Sequence, residues 1–182
     1  MLIDITLKIT PKMATEAQSN ENKALVGHLG THFDIMDKEF PLEYTRRSAV
    51  IFDVSGITGR DIEIDDILID SIENNMFVAF YSGYIEKIGY GSKEYFSEHP
   101  QLSNELITAL VNKGISIIGI DFPGIRRGKE HTATDRYCAN NGVFIIENLC
   151  NLNSIIGKCI IYTFPMNYTG ITGLPCRVIA DL

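Results

Sequence analysis

The chain has 182 residues, enough for one domain with a substantial core and too few for two, so residues 1–182 are read as a single domain. With 45% hydrophobic and 21% charged residues the composition is that of a globular protein. A formal net charge of -7, with no cluster of lysine and arginine to offset it, excludes nucleic acid and anionic membrane surfaces as partners.

The first segment, residues 2–10, alternates Ile3, Ile5, Leu7 and Ile9 with Asp4, Thr6, Lys8 and Thr10, the pattern of a half-buried strand. Residues 1–5 have neither a basic region nor a continuous apolar run, so neither a signal peptide nor a membrane span is expected, and a cytoplasmic location is. Cys138, Cys150, Cys159 and Cys176 form no C-x-x-C pair and are expected as free thiols of the core. Residues 11–24 are polar and aperiodic and read as an exposed connection.

That connection leads into His28-Leu29-Gly30-Thr31-His32-Phe33-Asp34, which holds two of the four histidines. Read as an extended segment, it sets His28, Gly30, His32 and Asp34 on one face and Leu29, Thr31 and Phe33 on the other. Two imidazoles and a carboxylate suit a borderline divalent ion such as zinc or manganese, and three protein ligands leave a position for water. A helix would also bring His28 and His32 together, but Gly27 and Gly30 argue against one.

Downstream, residues 49–54 and 76–81 read as buried strands ended by Ser-Gly, and residues 62–68 mix a short strand with a helical turn. From Ser103 the period changes: Leu106, Ile107, Leu110 and Val111 fit a helix capped by Ser103 and stopped at Gly114. A buried strand follows at 115–121, then a helix over 132–141 stopped by Gly142, and then a strand over 143–146 running into Glu147. Strands over 159–163 and 176–181 close the chain. Seven or so strands against two or three helices predict a strand-rich α/β domain with a mixed sheet.

Glu147, at the carboxyl end of an apolar strand, stands where α/β sheets present ligand-binding groups, and burial there calls for a cation partner. Asp121 ends its strand in the same way, but the turn at Phe122-Pro123-Gly124 makes capping the simpler role. His99, before Pro100, reads as local structure, and Asp135 as a first-turn helix carboxylate.

The histidine-rich segment resembles the H-x-G-T-H-x-D signature of the cyclase-like metal-dependent hydrolases, the group that includes bacterial kynurenine formamidase and isatin hydrolase. Collinear matches follow at Phe52-Asp53-Val54-Ser55-Gly56, Tyr95-Phe96-Ser97-Glu98-His99-Pro100, Ile118-Gly119-Ile120-Asp121, Ile146-Glu147-Asn148-Leu149 and Gly173-Leu174-Pro175-Cys176-Arg177-Val178-Ile179-Ala180. The resemblance implies a mixed β/β/α fold, a homodimer or higher homo-oligomer, and one zinc or manganese ion held by His28, His32 and Asp34 with Glu147 at a further metal-site position. It implies hydrolysis of amides, formamides or lactams of a small-molecule substrate by metal-activated water; Glu147 or a group of the substrate is expected to move the protons.

The chain also departs from that pattern. Relatives commonly continue the signature as D-x-P-x-H; here Asp34-Ile35-Met36-Asp37-Lys38 puts Lys38 in the histidine's place. Relatives often carry a histidine twelve residues before the glutamate, and counting back from Glu147 gives Asp135. The second-site histidines are thus expected to be missing, with a Lys38–Asp135 ion pair in the place of a second metal. Lys38 as a general base would need its pKa lowered by several units from about 10.4, and a surface role for it is the plainer alternative. The rival to a hydrolase is a catalytically impaired metal-binding protein on the same fold that binds a small ligand or partner. For the substrate pocket, the aromatic segment 80–84 and Phe40 are the candidates.

Overall fold

The computed structural model describes residues 1–20 and 27–182. Its strands are β1 (Leu2–Asp4), β2 (His32–Asp34), β3 (Arg46–Asp53), β4 (Phe77–Tyr81), β5 (Ile117–Ile120), β6 (Phe144–Glu147), β7 (Gly157–Pro165) and β8 (Gly173–Asp181). They form one mixed sheet in the order β1-β8-β2-β6-β5-β4-β3-β7, and β7 also pairs with β8. The sheet therefore closes into a seven-stranded barrel with β1 appended outside the ring, the strand-rich α/β architecture that the sequence predicts. Strands β3 to β6 run parallel, while β2, β7 and β8 are antiparallel to their neighbours.

Parallel strands buried on both faces read as unbroken apolar runs, and β4, β5 and β6 do so. Alternation sorts their side chains. Phe77, Ala79, Ile117 and Ile146 join Phe33, Leu174, Val178 and Ala180 in the barrel interior. Val78, Phe80, Ile118, Ile120 and Ile145 pack on the other face against the helices. The helices among the described residues are α1 (Pro11–Gln18), α2 (Tyr84–Ile88), α3 (Lys93–Ser97), α4 (Asn104–Asn112) and α5 (His131–Asn140), of which α4 and α5 contribute buried side chains to that face. Ser103 caps α4 by accepting from the Leu106 N–H, and Leu106, Ile107 and Leu110 form its buried stripe. None of the described helices is long and apolar enough to cross a membrane.

The structure departs from expectation near the N-terminus. The first strand ends at Asp4 instead of continuing to residue 10, because β2 takes over the edge of β8 at residues 173–175 after β1 has paired with 179–181. Thr6 keeps only a single bridge, to Leu149. The expected polar connection contains α1: the Thr10 side chain accepts from the Met13 N–H and Pro11 opens the helix, a start signal that aperiodic polarity concealed. The rest of that expectation, residues 21–24, lies outside the described residues. All four cysteines are free, Cys138 and Cys176 buried and the other two half-buried.

Candidate functional site

The antiparallel pairing of β2 with β6 sets His32 opposite Glu147 and Asp34 opposite Ile145. Phe33 and Ile146 turn into the barrel, so His32, Asp34 and Glu147 turn outward, toward α5. The extended reading of the motif holds only for residues 32–34. Residues 28–31 are irregular, and left-handed backbone at Gly27 (φ 81°) and Gly30 (φ 70°) folds His28 back over the strand. Its ring stacks on that of His32 at 4.9 Å between centroids. Gly173, opposite Asp34 on β8, makes room for this: a Cβ there would lie 2.0 Å from His28 Cδ2.

Helix α5 supplies the other wall. His131 and Asp135 are four residues apart and share a face with buried Cys138. His131 Nε2 lies 3.1 Å from Asp135 Oδ2 and 3.6 Å from Glu147 Oε1. His32 Nε2 lies 3.6 Å from both Asp34 Oδ1 and Glu147 Oε2, and His28 Nε2 is 3.4 Å from Asp34 Oδ1. Two donor sets result, His28 with His32 and Asp34, and Asp34 with His131 and Asp135, and within each set the donor atoms lie within 4.8 Å of one another. Asp34 belongs to both. A cavity of about 380 Å³ opens over them, with Phe96, Lys93 and Pro123 on its far side.

Three carboxylates lie together here with almost no access to water: Asp34 is 3%, Asp135 1% and Glu147 5% exposed. Burial works to raise Asp34, but the imidazoles of His32, His28 and His131 around it hold it below the usual carboxylate range. Burial and the neighbouring Asp34 and Asp135 push Glu147 well above it, and burial raises Asp135 too. Burial lowers His28, whereas the adjoining Asp135 raises His131. Asp34 Oδ2, Asp135 Oδ1 and Glu147 Oε1 are buried without a hydrogen-bond partner, and Asp135 Oδ2 faces His131 Nε2 at 3.1 Å. Buried lone pairs of this kind are costly unless a cation takes them. With three imidazoles alongside, the residues fit a divalent ion of the zinc or manganese type.

His32 is oriented for that role. Its Nδ1 lies 2.8 Å from the Gly30 carbonyl oxygen, which only accepts, so Nδ1 carries the hydrogen and Nε2 faces the carboxylates.

The structure therefore brings together His28, His32, Asp34 and Glu147, but not Lys38. The Lys38 ammonium is 40% exposed, sits 3.9 Å from Asp37 and does not line the cavity. The expected Lys38–Asp135 ion pair is not formed; Asp135 faces His131 instead, because α5 turns Asp135 inward while Lys38 follows β2 out to the surface. Nor is the second cluster without a histidine, since His131 reaches it. Its signal was present in the sequence as a histidine one helical turn before Asp135. Of the expected pocket aromatics, Phe80 is fully buried in the core and Phe40 packs on Phe33 and Phe144; Phe96 is the aromatic that lines the cavity. Asp121 does serve a turn, though of a neighbouring strand, accepting from the Ser82 and Gly83 N–H groups and the Ser82 hydroxyl. His99 donates from Nδ1 to the Pro100 carbonyl oxygen at 2.8 Å and stacks on Phe122 with 5.9 Å between ring centroids.

The chain is similar to several known proteins. The Cyclase family profile matches residues 3–127. A kynurenine formamidase of Bacillus cereus is 25% identical over 159 residues, covering 84% of this chain and 75% of that protein. A kynurenine formamidase of Bacillus mycoides is 23% identical over the same length. Among solved structures, one described as a potential metal-dependent hydrolase with cyclase activity superposes with a TM-score of 0.79 at 24% identity, covering 99% of this chain and 96% of that one. Isatin hydrolase A from Labrenzia aggregata superposes with a TM-score of 0.76 at 17% identity, covering 99% and 93%. Both likenesses concern the fold.

Proposed function

The chain belongs to the Cyclase family, and on that premise we propose that it is a metal-dependent hydrolase of amide-type carbon–nitrogen bonds in a small substrate such as a formamide, lactam or N-acyl compound. The observation that carries this reading is the set of partnerless carboxylate oxygens on Asp34, Asp135 and Glu147, buried beside three imidazoles at the floor of an open cavity. The names of the relatives, kynurenine formamidase and isatin hydrolase, support the bond class.

His28, His32 and Asp34 would hold the ion, with His131 and Asp135 offering a second position across Asp34. A zinc or manganese ion there supplies a Lewis acid that polarises the scissile carbonyl and makes water acidic enough to attack near neutral pH. The chain's own residues do the rest. The bare Cα of Gly173, paired with Asp34, leaves the room that His28 needs beside it. Glu147, whose Oε1 has no other partner, is placed to take a proton from the attacking water and return it to the departing nitrogen. Phe96 offers a flat apolar wall for the acyl or ring portion of the substrate.

The test is a panel of formamides, lactams and cyclic imides assayed with added zinc or manganese, alongside the metal content of the purified protein. Turnover that is lost in His32→Ala supports the enzyme. Metal binding without turnover on any member favours the catalytically impaired metal-binding protein, and a wild-type protein that binds neither ion overturns both.

A further inference from the structure

His32 takes its orientation from the Gly30 carbonyl, and that carbonyl is itself held. It accepts a second hydrogen bond, 2.9 Å long, from Asn148 Nδ2. The Asn148 side-chain oxygen in turn accepts from the Tyr95 hydroxyl at 2.7 Å. Asn148 is 1% and Tyr95 0% exposed, so neither side chain has water as a competing partner. The backbone around them is fastened as well. The Thr31 hydroxyl donates to the Asn148 carbonyl at 2.7 Å, and the Gly30 N–H donates to the Tyr90 hydroxyl at 3.0 Å.

We propose that Asn148 and Tyr95 are positioning residues that hold the Gly30 carbonyl in place and so keep His32 in the tautomer whose Nε2 faces the site. Each link is directional. The Gly30 carbonyl only accepts, so the Asn148 NH₂ must face it, and the Tyr95 hydroxyl then donates to the Oδ1 left on the other side. A carbonyl fixed by that NH₂ offers its remaining lone pair to His32 Nδ1. A buried imidazole next to Asp34 and Glu147 gains in either tautomer, since both carboxylates accept from Nε2–H as well. The Gly30 carbonyl is what decides between them.

The local backbone is shaped for this. Asn148 sits at φ 60°, in the left-handed region, directly after Glu147. Asparagine is the side chain that tolerates this conformation and still offers both a donor and an acceptor. The turn sends Glu147 to the metal side of β6 and Asn148 toward Gly30, so one strand end supplies both a site carboxylate and the brace of the histidine opposite. Tyr95 comes from α3, the same short helix that sets Phe96 and Lys93 on the cavity wall. The brace thus ties the wall that meets substrate to the strand that carries the ligands.

The test uses the full chain without metal first. Two-dimensional ¹⁵N–¹H spectra of the histidine side chains report which ring nitrogen carries hydrogen, and His32→Ala assigns the signal. Recorded at a pH high enough that the His32 ring is neutral, the wild type is expected to show the Nδ1–H tautomer. Asn148→Gly removes both amide bonds without straining a left-handed backbone, and is expected to shift His32 to a mixture of tautomers. Tyr95→Phe keeps the ring packing, loses only the hydroxyl, and is expected to shift it partway. In the second arm, zinc alone is titrated against a chelating dye, and the dissociation constant is expected to rise about ten- to hundredfold for Asn148→Gly and less for Tyr95→Phe. Asn148→Asp, which sets an oxygen against the Gly30 carbonyl, should not rescue either readout.

If Asn148→Gly fails to fold, Tyr95→Phe carries the test. Unchanged His32 spectra and zinc affinity in the variants that fold overturn the proposal, as does a wild-type His32 with hydrogen on Nε2. The zinc arm rests on the metal-centre reading and the tautomer arm does not, so a wild type that ignores zinc but shows the braced tautomer refutes that reading alone.

Discussion

Gly173→Ala is the sharpest test of the site's packing. Gly173 is absent from the residues with positive φ, so alanine meets no backbone penalty there. Its new Cβ would, however, lie 2.0 Å from His28 Cδ2, 2.7 Å from Nε2 and 2.9 Å from the Gly27 carbonyl carbon. Carbon atoms rest at about 3.5 Å or more, so the imidazole must retreat by roughly 1.5 Å. Metal ligands work within about 0.5 Å of their productive positions, so a retreat of that size removes one donor of three. Zinc affinity is expected to fall by at least about a hundredfold, equivalent to about 2.8 kcal/mol. Competition with a chelating dye measures this, and thermal melting without metal shows whether the fold survives. A folded Gly173→Ala protein with wild-type zinc affinity would refute the placement of His28 as a ligand.

Lys38→Ala is expected to leave zinc affinity and turnover within about twofold of wild type, since the ammonium is exposed and outside the cavity; a tenfold loss in either would restore Lys38 to the site. Two buried groups away from the metal ligands give opposite pH slopes in stability. Burial drops His99 to about 4. The unfolded chain then binds the extra proton, and the stability due to this group, full above about 6.5, is lost as pH falls toward 4. Burial pushes Asp121 up to about 7 against its three donors. There the folded state keeps the proton, and the stability due to that group, full below about 4, is lost as pH rises toward 7. Urea midpoints across pH 4–8 are expected to lose the first slope in His99→Asn and the second in Asp121→Asn. A variant that keeps the wild-type slope removes its residue from the account.

How much of this was legible in the sequence depended on which interaction set each feature. Strands β4, β5 and β6 announced themselves because burial on both faces leaves no polar position to confuse the period. Helix α4 did so through Ser103 and a clean apolar stripe. His32 and Asp34 share a face because a strand's period is two, which local sequence states directly. His28 is on that face for another reason, the turns at Gly27 and Gly30 and the space left by Gly173, a residue far along the chain. Spacing alone placed His28 in the cluster through the wrong geometry. The brace on His32 was illegible for a similar reason: Tyr95, Asn148 and Gly30 meet only once the barrel has closed.

The misreading at Asp135 has a more general cause. Counting residues back from Glu147 treats a helical ligand position as a single number, but a helix repeats every 3.6 residues, so positions four apart point the same way. His131 and Asp135 are such a pair, and α5 brings both to Asp34. A histidine moved by one turn therefore keeps its access to the cluster, and the vacated position is free to take a carboxylate. The consequence is electrostatic. Where an imidazole at that position would leave Asp34 and Glu147 as the two buried acids of the site, Asp135 adds a third, whose carboxylate has His131 Nε2 at 3.1 Å as its neighbour and whose Oδ1 has no hydrogen-bond partner. The departure that read as the loss of a second metal position thus strengthens the site's demand for positive charge. Asp135→Asn is accordingly expected to raise the melting temperature of the metal-free protein while weakening its stabilisation by zinc; a fall in the metal-free melting temperature would mean that the third carboxylate is satisfied by the protein itself.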